Sequence, residues 1–156
     1  MAGRRIQRDR SGGYRLRLPQ EERELLRSLP EQFREVLQSG DPDLHRLFPP
    51  AYTDDDEAND EYRRLMREEL LEGKLAALAT VEATADADHL TGEQLEGWLG
   101  ALESLRLFRG TQLDDSEKVY EAAIDPDDPR APALALYGYL SWLQEQAVAA
   151  LSAGLP

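Results

Sequence analysis

The sequence predicts a mainly α protein: a helical bundle of three long helices plus shorter ones, with an N-terminal β-hairpin docked on it. Three observations predict this. Leucines and aromatics recur at spacings of three and four over long stretches, the period of one helix face. Near the N-terminus the period shortens to two, beside a Gly-Gly pair, as in a strand leaving a tight turn. Prolines, glycines and a capping box separate these stretches, at positions where helices start and stop. The 156 residues are read as one domain, with the hairpin over 4–18 and the bundle over 19–156.

Residues 4–10 and 14–18 form the predicted hairpin, turning at Ser11-Gly12-Gly13, where paired glycines supply positive φ. In the second strand Tyr14, Leu16 and Leu18 alternate with Arg15 and Arg17, giving an apolar face and a cationic one. The first strand offers only Ile6 as an apolar residue. A two-stranded hairpin alone is marginal in water, so its apolar face is expected to rest on helices. Pro19 stands where the first helix begins. Leu26, Leu29, Phe33 and Leu37 make its stripe, and Pro30 is expected to kink it or divide it in two. Gly40 is the predicted stop. Asp41-Pro42 opens a short helix through Phe48, closed by Pro49-Pro50.

Asp54-Asp55-Asp56-Glu57 opens a long helix over about 57–85, with the charge its N-terminal dipole favours. Tyr62, Leu65 and Met66 begin its apolar side; Leu71, Leu75 and Leu78 continue it. Thr91 to Gln94 is a T-x-x-Q capping box. The helix it starts runs through Arg109 with Leu95, Trp98, Leu99, Leu102 and Leu105 on one side, and Gly110 is expected to end it. Residues 111–131 are read as a short helix near 116–123 and the loop Asp125-Pro126-Asp127-Asp128-Pro129. The last helix, about 132–151, carries Leu136, Leu140, Leu143 and Ala147, widened by Tyr137, Tyr139 and Trp142.

Charge is divided sharply along the chain. Residues 1–18 hold six arginines against one acid, Asp9, a balance of +5; the whole chain carries −13, which leaves −18 on the other 138 residues. A cationic element on an anionic body points to interaction rather than to chemistry. Arg4, Arg8, Arg15 and Arg17 are the candidate partner-binding residues, because planar guanidinium donors suit carboxylates or phosphates. The bland alternative is that they are solvated strand residues. Direct DNA contact is disfavoured: the body repels phosphates, and no short helix pair carries a basic second helix.

No catalytic, cofactor-binding or metal site is expected, and the chain is read as non-enzymatic. It has no cysteine, which excludes disulfides, a thiol nucleophile and thiolate metal sites. The acidic run 54–61 has Asn59 and Leu65 where a calcium loop needs glycine and glutamate. His45 and His89 lack a ligand at helical metal-site spacing. There is no P-loop, G-x-S-x-G or G-x-G-x-x-G. Residues 1–10 contain no apolar signal core, and no run approaches the ~18 apolar residues that span a bilayer. The expected location is cytoplasmic, with no membrane partner.

Two features remain open at this level. Glu82 and Arg106 each continue an apolar stripe, at neighbouring ends of consecutive antiparallel helices. They are predicted to form a partly buried structural ion pair, shared with Glu145; otherwise both snorkel to water. Trp98, Tyr137, Tyr139 and Trp142 are either core or, where exposed, a partner surface or homodimer seam.

Several segments in order carry a family resemblance. They are Tyr14-Arg15-Leu16-Arg17-Leu18, Glu24 through Pro30, Leu47-Phe48-Pro49-Pro50-Ala51-Tyr52, Thr80-Val81-Glu82-Ala83-Thr84, Trp98 through Leu107, Gly110-Thr111, and Tyr139 through Glu145. Over nearly its whole length the chain resembles the actinobacterial AosR family of oxidative-stress transcriptional regulators. The resemblance implies a cytoplasmic, non-enzymatic regulator that acts with the transcription machinery, through a sigma factor or RNA polymerase. A cysteine redox switch is attributed to some members; this chain has no cysteine for one. The alternative function is an adaptor or structural homo-oligomer, unrelated to transcription, that uses the aromatic helix face.

Overall fold

Two strands at the N-terminus, β1 (Ile6–Arg8) and β2 (Tyr14–Leu16), pair antiparallel with Ile6 opposite Leu16, Gln7 opposite Arg15 and Arg8 opposite Tyr14. The computed structural model describes residues 4–39, 44, 47–48, 56–112 and 127–153, with the backbone alone at 56–59 and 111–112. The turn is longer than the three residues predicted. It closes from Asp9, whose N–H reaches the Gly13 carbonyl at 2.8 Å and whose carbonyl accepts from Gly12 at 3.2 Å. Only Gly12 has positive φ, at 95°. Gly13 is needed for another reason: a Cβ there would lie 3.0 Å from the Leu90 carbonyl oxygen.

That carbonyl belongs to a third strand the sequence analysis missed. β3 (His89–Leu90) adds to β2, with Leu90 opposite Tyr14 and His89 opposite Arg15, so the sheet order is β1-β2-β3. Ile6, Tyr14, Leu16, Leu18 and Leu90 are buried. The apolar face of the hairpin therefore rests on the helices, as expected.

The described residues contain four helices: α1 (Gln20–Ser39), α2 (Asp56–Thr84), α3 (Gly92–Gln112) and α4 (Ala131–Ser152). α3 packs on both α2 and α4, α1 packs on α2, and β1 lies against α4. The protein is a helical bundle with an N-terminal sheet, but α1 is one continuous helix rather than two short pieces. Pro30 is inside it and buried. A proline within a helix costs about 3 kcal/mol. The buried stripe Leu26, Leu29, Phe33 and Leu37, at roughly 1.5–3 kcal/mol for each large side chain, outweighs that cost. Phe33 meets Phe108 of α3 with ring centroids 5.3 Å apart.

The capping box holds: the Gln94 N–H donates to Thr91 Oγ1 at 3.1 Å, and the Thr91 N–H donates to Gln94 Oε1 at 2.8 Å. Gly110 does not end α3. It is buried inside the helix, where a Cβ would stand 3.1 Å from the Tyr137 ring of α4; it is there for close approach, not as a stop. Leu95, Trp98, Leu102 and Leu105 are buried as the stripe predicted, and so are Leu140, Leu143 and Ala147. On α2 only the second half joins the core. Tyr62, Leu65 and Met66 are exposed, so the apolar side of that helix begins later than expected. The predicted stop at Gly40, most of the short helix over 41–48 and the helix near 116–123 lie outside the described residues. Among the described residues no helix is long and apolar enough to cross a membrane.

Candidate interaction surface

The sheet lies over the first turn of α1 and the end of α4, and a side chain absent from the sequence prediction fastens it there. Arg23 of α1 donates to the carbonyls of Leu18 (2.9 Å), Ala85 (2.9 Å), Ala87 (2.8 Å) and Leu16 (3.4 Å), and to Asp88 Oδ1 (3.4 Å). One guanidinium thus ties the exit of β2 to the connection between α2 and β3. Its planar fork suits several divergent acceptors, as a lysine ammonium would not.

A second network fixes the other side. Arg5 donates to Glu22 from Nε (3.1 Å) and Nη2 (2.9 Å), and Tyr139 donates its hydroxyl to Glu22 Oε1 at 2.8 Å. The Arg5 guanidinium also lies 5.2 Å from the ring centroid of Trp142, within cation–π range. Burial alone would raise the Glu22 carboxyl. Hydrogen bonds from Arg5 and Tyr139, with the Arg5 charge, outweigh burial and hold it below the ordinary carboxylate value. Tyr139 is pushed up, first by burial and then by the carboxylate it faces. A carboxyl lowered on folding contributes stability above its unfolded pKa, and that contribution disappears as pH falls through the folded value. Glu22→Gln should cost about 1–3 kcal/mol at neutral pH. Its deficit should shrink on acidification, read from urea midpoints at descending pH.

The arginines of α1 are neutralised internally. Arg34 pairs with Glu82 of α2, Arg27 with Asp86 just past the end of α2, and Arg23 reaches Asp88 at 3.4 Å. The order 34–82, 27–86, 23–88 is what two antiparallel helices and the chain leaving them produce. It corrects the ion pair predicted from stripe position. The carboxylate partner of Glu82 is Arg34 on α1 rather than Arg106, because position 82 faces the α1 side of α2. Arg106 is half-buried on α3 and Glu145 is exposed on α4. The seven-residue step from Arg27 to Arg34, two turns along one face of α1, was a signal available in the sequence.

The candidate arginines of the hairpin are placed differently. Arg15 and Arg17 are exposed on the face turned away from the helices. Arg15 stands between Gln7 and His89 across the three strands. Among the described residues neither Arg15 nor Arg17 has a carboxylate partner, in contrast to Arg23, Arg27 and Arg34. Asp9 is nearby, but its carboxylate turns to the Ser11 N–H at 3.5 Å and to His89 Nε2 at 3.3 Å. Arg4 and Arg8 do not join this face. Strand alternation puts Arg8 on the side of Ile6, and its Nη1 reaches the Ala153 carbonyl at 3.4 Å. Both line a half-open cleft of ≈ 390 Å³ between β1 and α4. The four candidates therefore form two surfaces.

The aromatic set is not an open patch. Trp98 is fully buried, and its indole N–H donates to Thr84 Oγ1 at 2.7 Å. Tyr137, Tyr139 and Trp142 are half-buried. Among the described residues no group of three histidine or acidic side chains is placed to hold a metal ion.

Compared with known families, residues 3–151 match the model described as a domain of unknown function, DUF2017. No curated protein and no solved structure matches the chain.

Proposed function

The chain belongs to the DUF2017 family, and from that premise we propose that it is a non-enzymatic regulatory protein-interaction module whose basic hairpin contacts an acidic partner in the transcription machinery. The observation that carries this reading is the difference between its arginines. Those of α1 are paired with acids of the bundle. Arg15 and Arg17 stand out from a body of charge −18 with no carboxylate turned to them among the described residues. Charge of one sign on a small exposed element steers encounter with the opposite sign.

The resemblance to AosR-type regulators, an actinobacterial group linked to oxidative stress, supports a sigma factor or RNA polymerase as the partner. Without cysteine, regulation in this chain acts through binding and not through a thiol switch. The competing reading, a homo-oligomeric adaptor working through the aromatic face of α4, gains no support from a face half-covered by Arg5 and α1. The test is capture of purified RNA polymerase or sigma factor by the Arg15→Glu/Arg17→Glu variant. Capture should be lost while the melting temperature stays that of the parent. Undiminished capture would remove the hairpin from the account.

A further inference from the structure

We infer that the free edge of β1 is an acceptor for an extended acidic segment, which adds to the sheet as a fourth strand in the cleft between β1 and α4. This rests on the reading of the hairpin as the contact element and adds a second contact at its edge, apart from the face of Arg15 and Arg17.

The hydrogen-bond register identifies the edge. β1 is the outer strand of the order β1-β2-β3. The Arg17 N–H donates to the Arg5 carbonyl at 2.7 Å, and Ile6 is opposite Leu16. In an antiparallel ladder this directs both backbone groups of Gln7 toward Arg15, and those of Ile6 and Arg8 away from β2. Among the described residues nothing accepts or donates to them there. The start of the same edge is closed by α4, since the Arg5 N–H donates to Gln146 Oε1 at 2.6 Å. Beyond Gln146 the helix presents Ala149, Ala150 and Ala153 to the cleft. These side chains are too short to reach the strand, so the edge that a helix normally covers is left with room beside it.

The chemistry of the walls selects the occupant. Arg4 and Arg8 stand at the cleft, and its floor includes the buried side chains of Ile6 and Ala150. A strand shows its side chains to alternate sides. Arg4, Ile6 and Arg8 share one side of the strand, so a segment with an acid, an apolar residue and an acid at every second position would set its acids by the guanidiniums and its apolar group on Ile6. Main-chain bonds supply affinity in this mode, and alternate side chains supply specificity. The −18 of the remaining chain repels the same segment elsewhere.

The probe is a short fluorescent peptide with glutamate, valine and glutamate at every second position and threonine between them, added to the full chain. Its control carries N-methyl groups on alternate amides, which keeps charge and side chains but removes the strand-facing donors. The peptide should bind and shift the Ile6 and Arg8 amide resonances, and the methylated form should bind about tenfold more weakly or worse, as the loss of one or two hydrogen bonds requires. Arg8→Pro, tolerated at a strand edge because that N–H is outside the ladder, should abolish binding; Arg8→Gln, which keeps the donor, should only weaken it. Equal binding of both peptides would overturn strand addition and leave charge recognition by the hairpin standing. Absence of binding, or slow exchange of the Ile6 and Arg8 amides in the free protein, would also overturn it. Loss of the wider reading is detected separately, by polymerase or sigma-factor capture with Arg15 and Arg17 reversed.

Discussion

Trp98→Ala is expected to destabilise the protein by about 3–5 kcal/mol, the range for deleting a buried aromatic from a close-packed core. Trp98 is fully excluded from solvent in the second turn of α3, the helix that packs on both α2 and α4. It also carries a polar bond across the core. Its indole N–H donates to Thr84 Oγ1 at 2.7 Å, and that hydroxyl donates to the Thr80 carbonyl at 2.6 Å. Thr84 is the last residue of α2, so the indole locks the end of one helix to the second turn of the next. Trp98→Phe separates the two contributions. It keeps most of the apolar volume and leaves the Thr84 hydroxyl still bonded to Thr80, so its cost should be nearer 1 kcal/mol for the bond plus the smaller ring. Urea unfolding of both variants checks this. Equal losses for Phe and Ala would mean that the hydrogen bond, not packing, dominates at this site.

Arg23→Ala should cost about 2–4 kcal/mol, an unusual loss for a change in the first turn of a helix. Hydrogen bonds to charged groups contribute roughly 1.5–3 kcal/mol each at most, and they are not additive around one head group. The side chain is only 11% exposed, so little water can replace the donors it withdraws from four carbonyls. Arg23→Lys should recover less than half of the loss, because one ammonium cannot serve the carbonyls of Leu18 and Ala87 in the geometry of a planar fork. Amide exchange gives a readout specific to this role. In the alanine variant, protection at β2 and β3 should fall while the core of α3 keeps its own. A lysine variant as stable as the parent would show that positive charge alone suffices.

These two residues also mark what could be read from the sequence. Trp98 falls on the stripe Leu95, Trp98, Leu102, Leu105, which offered core as one of two readings, and its burial decides for that one. The capping box at Thr91 and Gln94 was legible because it needs only local chain geometry. So was the hairpin, whose turn glycines and alternating strand lie within a few residues of each other. Arg23 was not legible. Its acceptors are backbone carbonyls some sixty positions away (Ala85 and Ala87), and no side-chain pattern announces a carbonyl. β3 was missed because two residues cannot display a period, and Gly110 because a glycine that admits a neighbouring ring resembles one that ends a helix. Pro30 left a kink or a division open, and the helix is not divided, because tertiary burial outweighs the local cost. The candidate arginines came from charge pattern alone; their division into an open pair, Arg15 and Arg17, and a cleft pair, Arg4 and Arg8, depended on strand register and on where α4 ends.

The ion pairs of α1 give the electrostatic argument its control. Arg27 and Arg34 sit on the same protein, near the same acids, and are neutralised. Arg15 and Arg17 are held on the far face of a sheet whose other face is apolar and buried, so the pleat itself keeps their guanidiniums away from the bundle. Among the described residues no carboxylate of that acidic body faces the pair.

The most direct measurement is the salt dependence of affinity for purified RNA polymerase or sigma factor, the proposed partners, in the parent chain and in the Arg15→Glu/Arg17→Glu variant. Exposed charges separated by more than about 10 Å are largely screened at 0.1 M salt. Parent affinity should therefore fall steeply as salt rises, and the variant should be weak and nearly insensitive to it. A parent curve that stays flat, or a variant curve that overlays it, would contradict the account.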